Sequence, residues 1–172
     1  MGTTGQLAIA ARVKQATHRQ GNPMAFTVRP AAVADVPALF DIRTSVTQNH
    51  LSREQMAQLG IDADVLAAML AAAPCAWLAE VEGQPVAFSM VDLDDACLFA
   101  VFVKPGFEGQ GLGAAVLRPA EQALFARHAR IWLSTDGHED VRANGFYRRH
   151  GWEVVAALDD GDLRYEKARP AA

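Results

Sequence analysis

The stretch VKPGFEGQGLGAAVL, residues 103–117, decides the fold. Gly109, Gly111 and Gly113 occupy alternate positions between an apolar run and a helix-forming segment. Glycine loses more conformational freedom on folding than other residues and brings no side chain to pack, so such a cluster marks a turn or a close approach. A helix N-terminus leaves N–H groups unpaired and carries partial positive charge, so a bare strand-to-helix turn makes a cradle for a phosphate. Spacing excludes two common cradles. The P-loop requires Gly-Lys followed by Ser or Thr, and the dinucleotide fingerprint requires G-x-G-x-x-G after a first strand. Here G-x-G-x-G follows what reads as the fourth strand.

Upstream of the glycines, the runs CAWLAEV, PVAFSMVD and ACLFAVFV are β-leaning and separated by the short polar turns EGQ and LDD, which predicts an antiparallel meander. The last run is apolar at nearly every position, so it is expected to be central and buried on both faces. Earlier still, AFTVRPA reads as a first strand closed by Pro30. A helix follows Asp35, with Pro37 in its first turn and an apolar stripe at Val36, Leu39, Phe40 and Val46. Ser52 and Gln55 have the form of a capping box, and Asp62 opens another helix through Val65, Leu66, Met69 and Leu70, ended by Pro74.

Downstream, Leu112 to about Arg127 predicts a helix kinked by Pro119. RIWLST is the fifth strand, DVRANGFYRRHG a helix capped by Gly151, and WEVVAAL with LRYEK a closing hairpin. The order is strand, two or three helices, three strands, helix, strand, helix, two strands. That is a mixed α/β sheet, with residues 24–172 expected to form one domain.

Composition narrows the function. The chain has 172 residues, 51% hydrophobic and 21% charged, enough for a substantial core. A net charge of -4 argues against nucleic acid, whose phosphates require a basic face. Cys75 and Cys97 sit in apolar surroundings and read as reduced thiols. No zinc-type spacing exists, so no metal is expected, and no apolar run approaches the roughly 20 residues of a membrane span. A cytoplasmic protein is expected. Residues 1–23 carry Arg12, Lys14 and Arg19 without an acid, the first acidic residue being Asp35. They are expected to be a poorly ordered extension or a short helix lying on the domain, although their composition also resembles an organellar transit peptide.

With these elements placed, the chain resembles the GNAT superfamily of N-acetyltransferases. Val103-Lys104-Pro105 followed by Glu108-Gly109-Gln110-Gly111-Leu112-Gly113 is similar to that family's acetyl-coenzyme A pyrophosphate loop. Phe146-Tyr147 with Gly151-Trp152 is similar to its later signature. The resemblance covers roughly residues 25–167 and implies a mostly antiparallel seven-stranded sheet, splayed between strands four and five and flanked by four or five helices. Two departures stand out: Glu108 replaces the family's usual Gln or Arg, and Asp140 stands where an Asn is frequent.

The resemblance further implies acetyl-coenzyme A as co-substrate and a small-molecule or peptide amine as acceptor, and it allows a homodimer. Glu108, Gly109, Gln110, Gly111, Leu112, Gly113 and Ala114 would hold the pyrophosphate. Phe102 and Val103 would offer backbone groups to the pantetheine arm. Tyr147 would be the acid that protonates the leaving thiolate, since a phenol with a pKa near about 10 keeps its proton at neutral pH. No base is singled out: Glu80, Asp92, Asp94, Asp95, Cys97 and His50 are the candidates, and His138 and His150 read as surface residues. A binding module that senses an acyl-coenzyme A without turnover is the alternative.

Overall fold

The computed structural model describes Ala11, Arg12 and residues 24–172. The expected extension over residues 1–23 therefore lies outside the described residues, except that Ala11–Arg12 (β1) pairs antiparallel with β2 (Thr27–Pro30). A 3-10 turn at Val33–Asp35 leads into α1 (Val36–Ser45), α2 (Arg53–Gln58) and α3 (Ala63–Ala72). The meander β3 (Ala76–Val81), β4 (Gln84–Asp92) and β5 (Cys97–Val103) comes next. Then follow α4 (Leu112–Phe125), β6 (Arg130–Asp136), α5 (Arg142–Arg149), β7 (Glu153–Ala157) and β8 (Asp162–Ala168). The strands form one sheet in the order β1-β2-β3-β4-β5-β6-β8-β7. β1 adds an eighth strand to the expected seven.

Every neighbouring pair is antiparallel except β5 and β6, which are parallel and meet at one residue pair, Cys97 with Trp132. Beyond it they diverge, as expected for strands four and five. Burial corrects the reading of β5. The strand is central, but Phe99 is 37% exposed and residues 101–103 are only partly buried. The strand buried on both faces is β4, where residues 86–91 are all buried. Over residues 88–90 the side chains alternate: Phe88 and Met90 face a cavity beneath α1, while Ser89 donates from the other face to the carbonyl of Val116 in α4, at 2.6 Å.

The helices follow their caps more closely than their stripes. Ser52 and Gln55 form the reciprocal capping box, and Asp62 Oδ1 accepts from the amide of Val65. Ile42 is fully buried on α1, whereas Val46 falls just past its end. Only Leu66 of the α3 stripe is fully buried and Val65 is exposed, because α3 packs on α1 along one narrow edge. α4 seats Val116, Leu117, Ala120 and Leu124 on the sheet. Pro119 lies inside it and offers no amide to the carbonyl of Ala115.

α5 is held at both ends. The Gly151 amide bonds the Arg148 carbonyl and the Trp152 amide bonds the Tyr147 carbonyl, with Gly151 at φ +84°, the left-handed cap that favours glycine. Trp152 then lies edge-on to Tyr147, with ring centroids 6.0 Å apart. Near its start, buried Asn144 donates to the carbonyls of Asp136 and His138 and accepts from the Tyr165 hydroxyl at 2.8 Å. Tyr165→Phe strands the Asn144 oxygen in the core. The expected loss is about 1–3 kcal/mol in denaturant unfolding, and an unchanged midpoint would remove this bond from the account.

Candidate functional site

The glycine turn leaves β5 and enters α4 with its backbone bare. Gly109 and Gly111 hold φ near +74° and +82°, and Gly111 is the N-cap of α4 without a side-chain cap bond. Among the described residues, no amide of residues 108–114 has a hydrogen-bond partner; the first engaged is that of Ala115, on the Gly111 carbonyl. A row of outward N–H groups at the positive end of a helix dipole is an anion site. Glu108 does not obstruct it, since its carboxylate turns back to accept from the amide of Gly106 at 2.9 Å. Gly113 has a different task. A Cβ there would meet the Phe146 ring at 3.3 Å, so its bareness seats α5 against α4.

Backbone groups are also free along β5. The Lys104 amide bonds the Val86 carbonyl, and Phe102 pairs with Phe88 and Ala100 with Met90. The alternation turns the groups of Phe102 toward β4 and those of Val101 and Val103 into the gap facing β6. An irregularity in the β4–β5 register beside Phe99 breaks that alternation lower down. Of the two residues expected to offer backbone groups, Val103 faces the gap. Phe102 contributes its ring, which lines the cavity.

Tyr147 lies behind the point of divergence, 7% exposed, against Phe146, Trp152 and Tyr165. Its hydroxyl has no hydrogen-bond partner among the described residues. Burial, reinforced by the nearby Cys97 and Tyr165, pushes its pKa above the ordinary phenol value, so the proton is held firmly.

Three of the candidate bases, Glu80, Asp92 and His50, are engaged by hydrogen bonds elsewhere. Glu80 accepts from Arg29, which also grips Asp35 at 2.8 Å, and the Asp35 carboxyl is held below its usual range by that bond. Asp92 accepts from the amides of Asp94 and Asp95 in the β4–β5 turn. Burial pushes the Cys97 thiol up to about 12. His50 is bound through Nδ1 to the Val46 carbonyl. His150 is half-buried: its ring lies 4.6 Å from that of Phe146, and burial pulls its pKa down.

On the α1 side of β4 and β5 lies a cavity of about 130 Å³, walled by residues such as Leu39, Met56, Leu66, Phe88 and Phe99. Among the described residues its polar lining is Arg43 and Asn49. The Arg43 guanidinium sits 4.2 Å over the Phe102 ring, yet Nη1 is shielded from solvent without a partner. Sequence reading passed over Arg43 and Asn144. Arg43 was detectable, because it falls four residues after Leu39 and three after Phe40, on the apolar stripe of α1. Nothing in the sequence singled out Asn144.

A family model for the acetyltransferase (GNAT) family matches residues 36–152, more than half of the chain. No curated protein matches it in sequence. Among solved structures it is similar to a PaiA N-acetyltransferase from Thermoplasma acidophilum in complex with coenzyme A, at 15% identity and TM-score 0.68, covering 85% of this chain and 100% of that one. It is similar also to the ribosomal-protein-S18-alanine N-acetyltransferase of Escherichia coli, at 21% identity, TM-score 0.64 and coverage of 86% and 96%. A third is yncA, a putative acetyltransferase from Salmonella typhimurium with its cofactor acetyl-CoA, at 17% identity, TM-score 0.64 and coverage of 83% and 93%.

The raised pKa of Tyr147 has a checkable sign. Its stabilising contribution is complete below the unfolded phenol value of about 10 and is lost as pH rises from there toward the folded pKa. In an absorbance titration, the phenolate signal removed by Tyr147→Phe should develop above that value; a transition at or below it contradicts the buried environment.

Proposed function

The chain belongs to the acetyltransferase (GNAT) family, and from that premise we propose that it transfers the acetyl group of acetyl-coenzyme A to an amine nitrogen by direct attack. The observation that carries this reading is the unpartnered backbone of residues 108–114 opening beside the free edge of β5. That arrangement fits a ligand with a pyrophosphate at one end and an amide-containing arm at the other. When bound, acetyl-coenzyme A supplies the acetyl group as an activated thioester.

The chain's residues divide the work. The amides of Glu108, Gly109, Gln110, Gly111, Leu112, Gly113 and Ala114 hold the pyrophosphate. Val101 and Val103 offer N–H and C=O groups to the arm in the gap, where an N–H also polarises the thioester carbonyl. The amine nitrogen forms its bond to the carbonyl carbon, the carbon–sulfur bond breaks, and Tyr147 gives its proton to the departing sulfur. The nitrogen sheds its extra proton to water, which restores the Tyr147 phenol. Among the described residues no carboxylate or imidazole lines the cavity, so water is the acceptor of that proton.

The acceptor is an amine that fits the α1-side cavity. The E. coli neighbour is by its description an alanine N-acetyltransferase of a ribosomal protein, which supports the terminal amines of peptides as one acceptor class to screen. The missing base is also what favours a second reading, an acyl-coenzyme A sensor without turnover.

Calorimetric titration with acetyl-coenzyme A, run on the wild type and Gly111→Glu, tests the first half. Binding should weaken by about 100-fold or more in the variant, which places a carboxylate in the cradle at a left-handed backbone position; equal binding would remove the loop from the site. Tyr147→Phe tests the second. It should lower kcat by about 100-fold with ligand affinity retained, and an unchanged rate would take Tyr147 out of the mechanism. Binding without thiol release against an amine panel would favour the sensor.

A further inference from the structure

Arg43 is unusual for a cation on the core-facing side of a helix. Nη1 is the one side-chain nitrogen or oxygen among the described residues that is itself wholly shielded from solvent and lacks a hydrogen-bond partner. No acid answers it. Asp41, the nearest acid along α1, is bound to Lys104 at 2.6 Å, and no Asp or Glu occurs before Asp35, so the undescribed residues hold no counter-charge either. The ring of Phe102 offers only its π-face. Burial pulls the guanidinium pKa down from its ordinary value with nothing opposing the shift.

We propose that the cavity beneath α1 receives an acceptor amine that also carries a carboxylate, with Arg43 binding the carboxylate and the apolar walls seating the rest of the acceptor. A guanidinium presents a planar fork of donors matched to a carboxylate, and that pairing is strongest where water is excluded. The remaining lining is apolar apart from Asn49 at the loop after α1. At about 130 Å³ the cavity is close to the roughly 150 Å³ that houses a benzene-sized group. These features together describe an α-amino acid with an apolar side chain, such as leucine, methionine or phenylalanine. A single unopposed cation matches a monoanion better than a phosphate dianion. This inference rests on the acetyl-transfer reading: the amine's nitrogen gains the acetyl group and loses a proton, and its carboxylate is unchanged.

The test pairs leucine with leucinamide and phenylalanine with phenylalaninamide, in acetyl-transfer assays of the wild type, Arg43→Gln and Arg43→Lys. The amides have the more readily deprotonated amine, so a preference for the acids runs against intrinsic reactivity. The wild type should favour the acids by about 10-fold or more in kcat/KM. Arg43→Gln should lower kcat/KM for the acids by about 100-fold while leaving the amides and the acetyl-coenzyme A KM within about 3-fold. Arg43→Lys should restore part of the preference. Equal losses for acid and amide in Arg43→Gln, or a wild type indifferent to the carboxylate, would overturn the proposal. If no amine turns over, calorimetry of leucine and phenylalanine in the presence of coenzyme A decides. Binding lost in Arg43→Gln keeps the carboxylate site and sinks the transfer reading, whereas coenzyme A binding without amino-acid binding sinks the carboxylate site alone.

Discussion

The single residue pair between β5 and β6 is the constraint on which the rest of the structure depends. Parallel strands ordinarily continue their ladder, and an unpaired central edge exposes polar backbone that costs stability if it is buried dry. Here the contact is fixed at one end. The Trp132 amide donates to the Ala96 carbonyl and its indole N–H to the Asp95 carbonyl, so β6 is bound to the β4–β5 turn before it swings away. Beyond that pair β6 finds its partner in β8, seven register pairs from Arg130 to Asp136, and has no need of β5. The gap is thus built by strong pairing on both sides and weak pairing in the middle.

What borders the gap follows from that geometry. α4 begins where β5 ends, so its free amides open beside the unpaired strand edge. α5 comes next in space, because Gly113 admits the Phe146 ring and the glycine-capped turn at its end brings Trp152 edge-on to Tyr147. The two sequence motifs that pointed to an acyltransferase, some 35 residues apart, are therefore one packed unit. The glycine loop needs Phe146 in place, and Phe146 needs a glycine below it. Asn144, between the β6 loop and Tyr165, holds the same helix from its other end.

Local rules made much of this legible. Caps such as Ser52 with Gln55 and Asp62 with Val65 are short-range devices, and they appear where the residues stand. The meander was readable because its turns are short. Burial was harder: β5 is as apolar as a doubly covered strand, yet Phe99 and Phe102 line a cavity that the elements packed on that face leave unfilled. The register irregularity beside Phe99 decides whether Val101 or Phe102 faces the gap, and no residue in the run announces it. The candidate bases failed for a related reason. Each is an acid, thiol or imidazole in a suggestive position, yet Glu80 is taken by Arg29, Asp92 and His50 by backbone groups, and the Cys97 thiol is buried.

The unsatisfied polar groups of the molecule are not scattered, and they differ in kind. The amides of residues 108–114 begin in an exposed turn at Glu108 and Gly109 and continue through half-buried positions, where water can serve them until an anion replaces it. Arg43 Nη1 is shielded, and a buried donor to a charged group left unpaired costs on the order of 1–3 kcal/mol. A core position four residues from Leu39 could hold leucine or methionine at no such cost. Two of the other buried polar side chains are paired, Ser89 on α4 and Asn144 on three partners. A fold that satisfies these two and leaves Arg43 Nη1 open gives up stability beneath α1, against the Phe102 ring of β5.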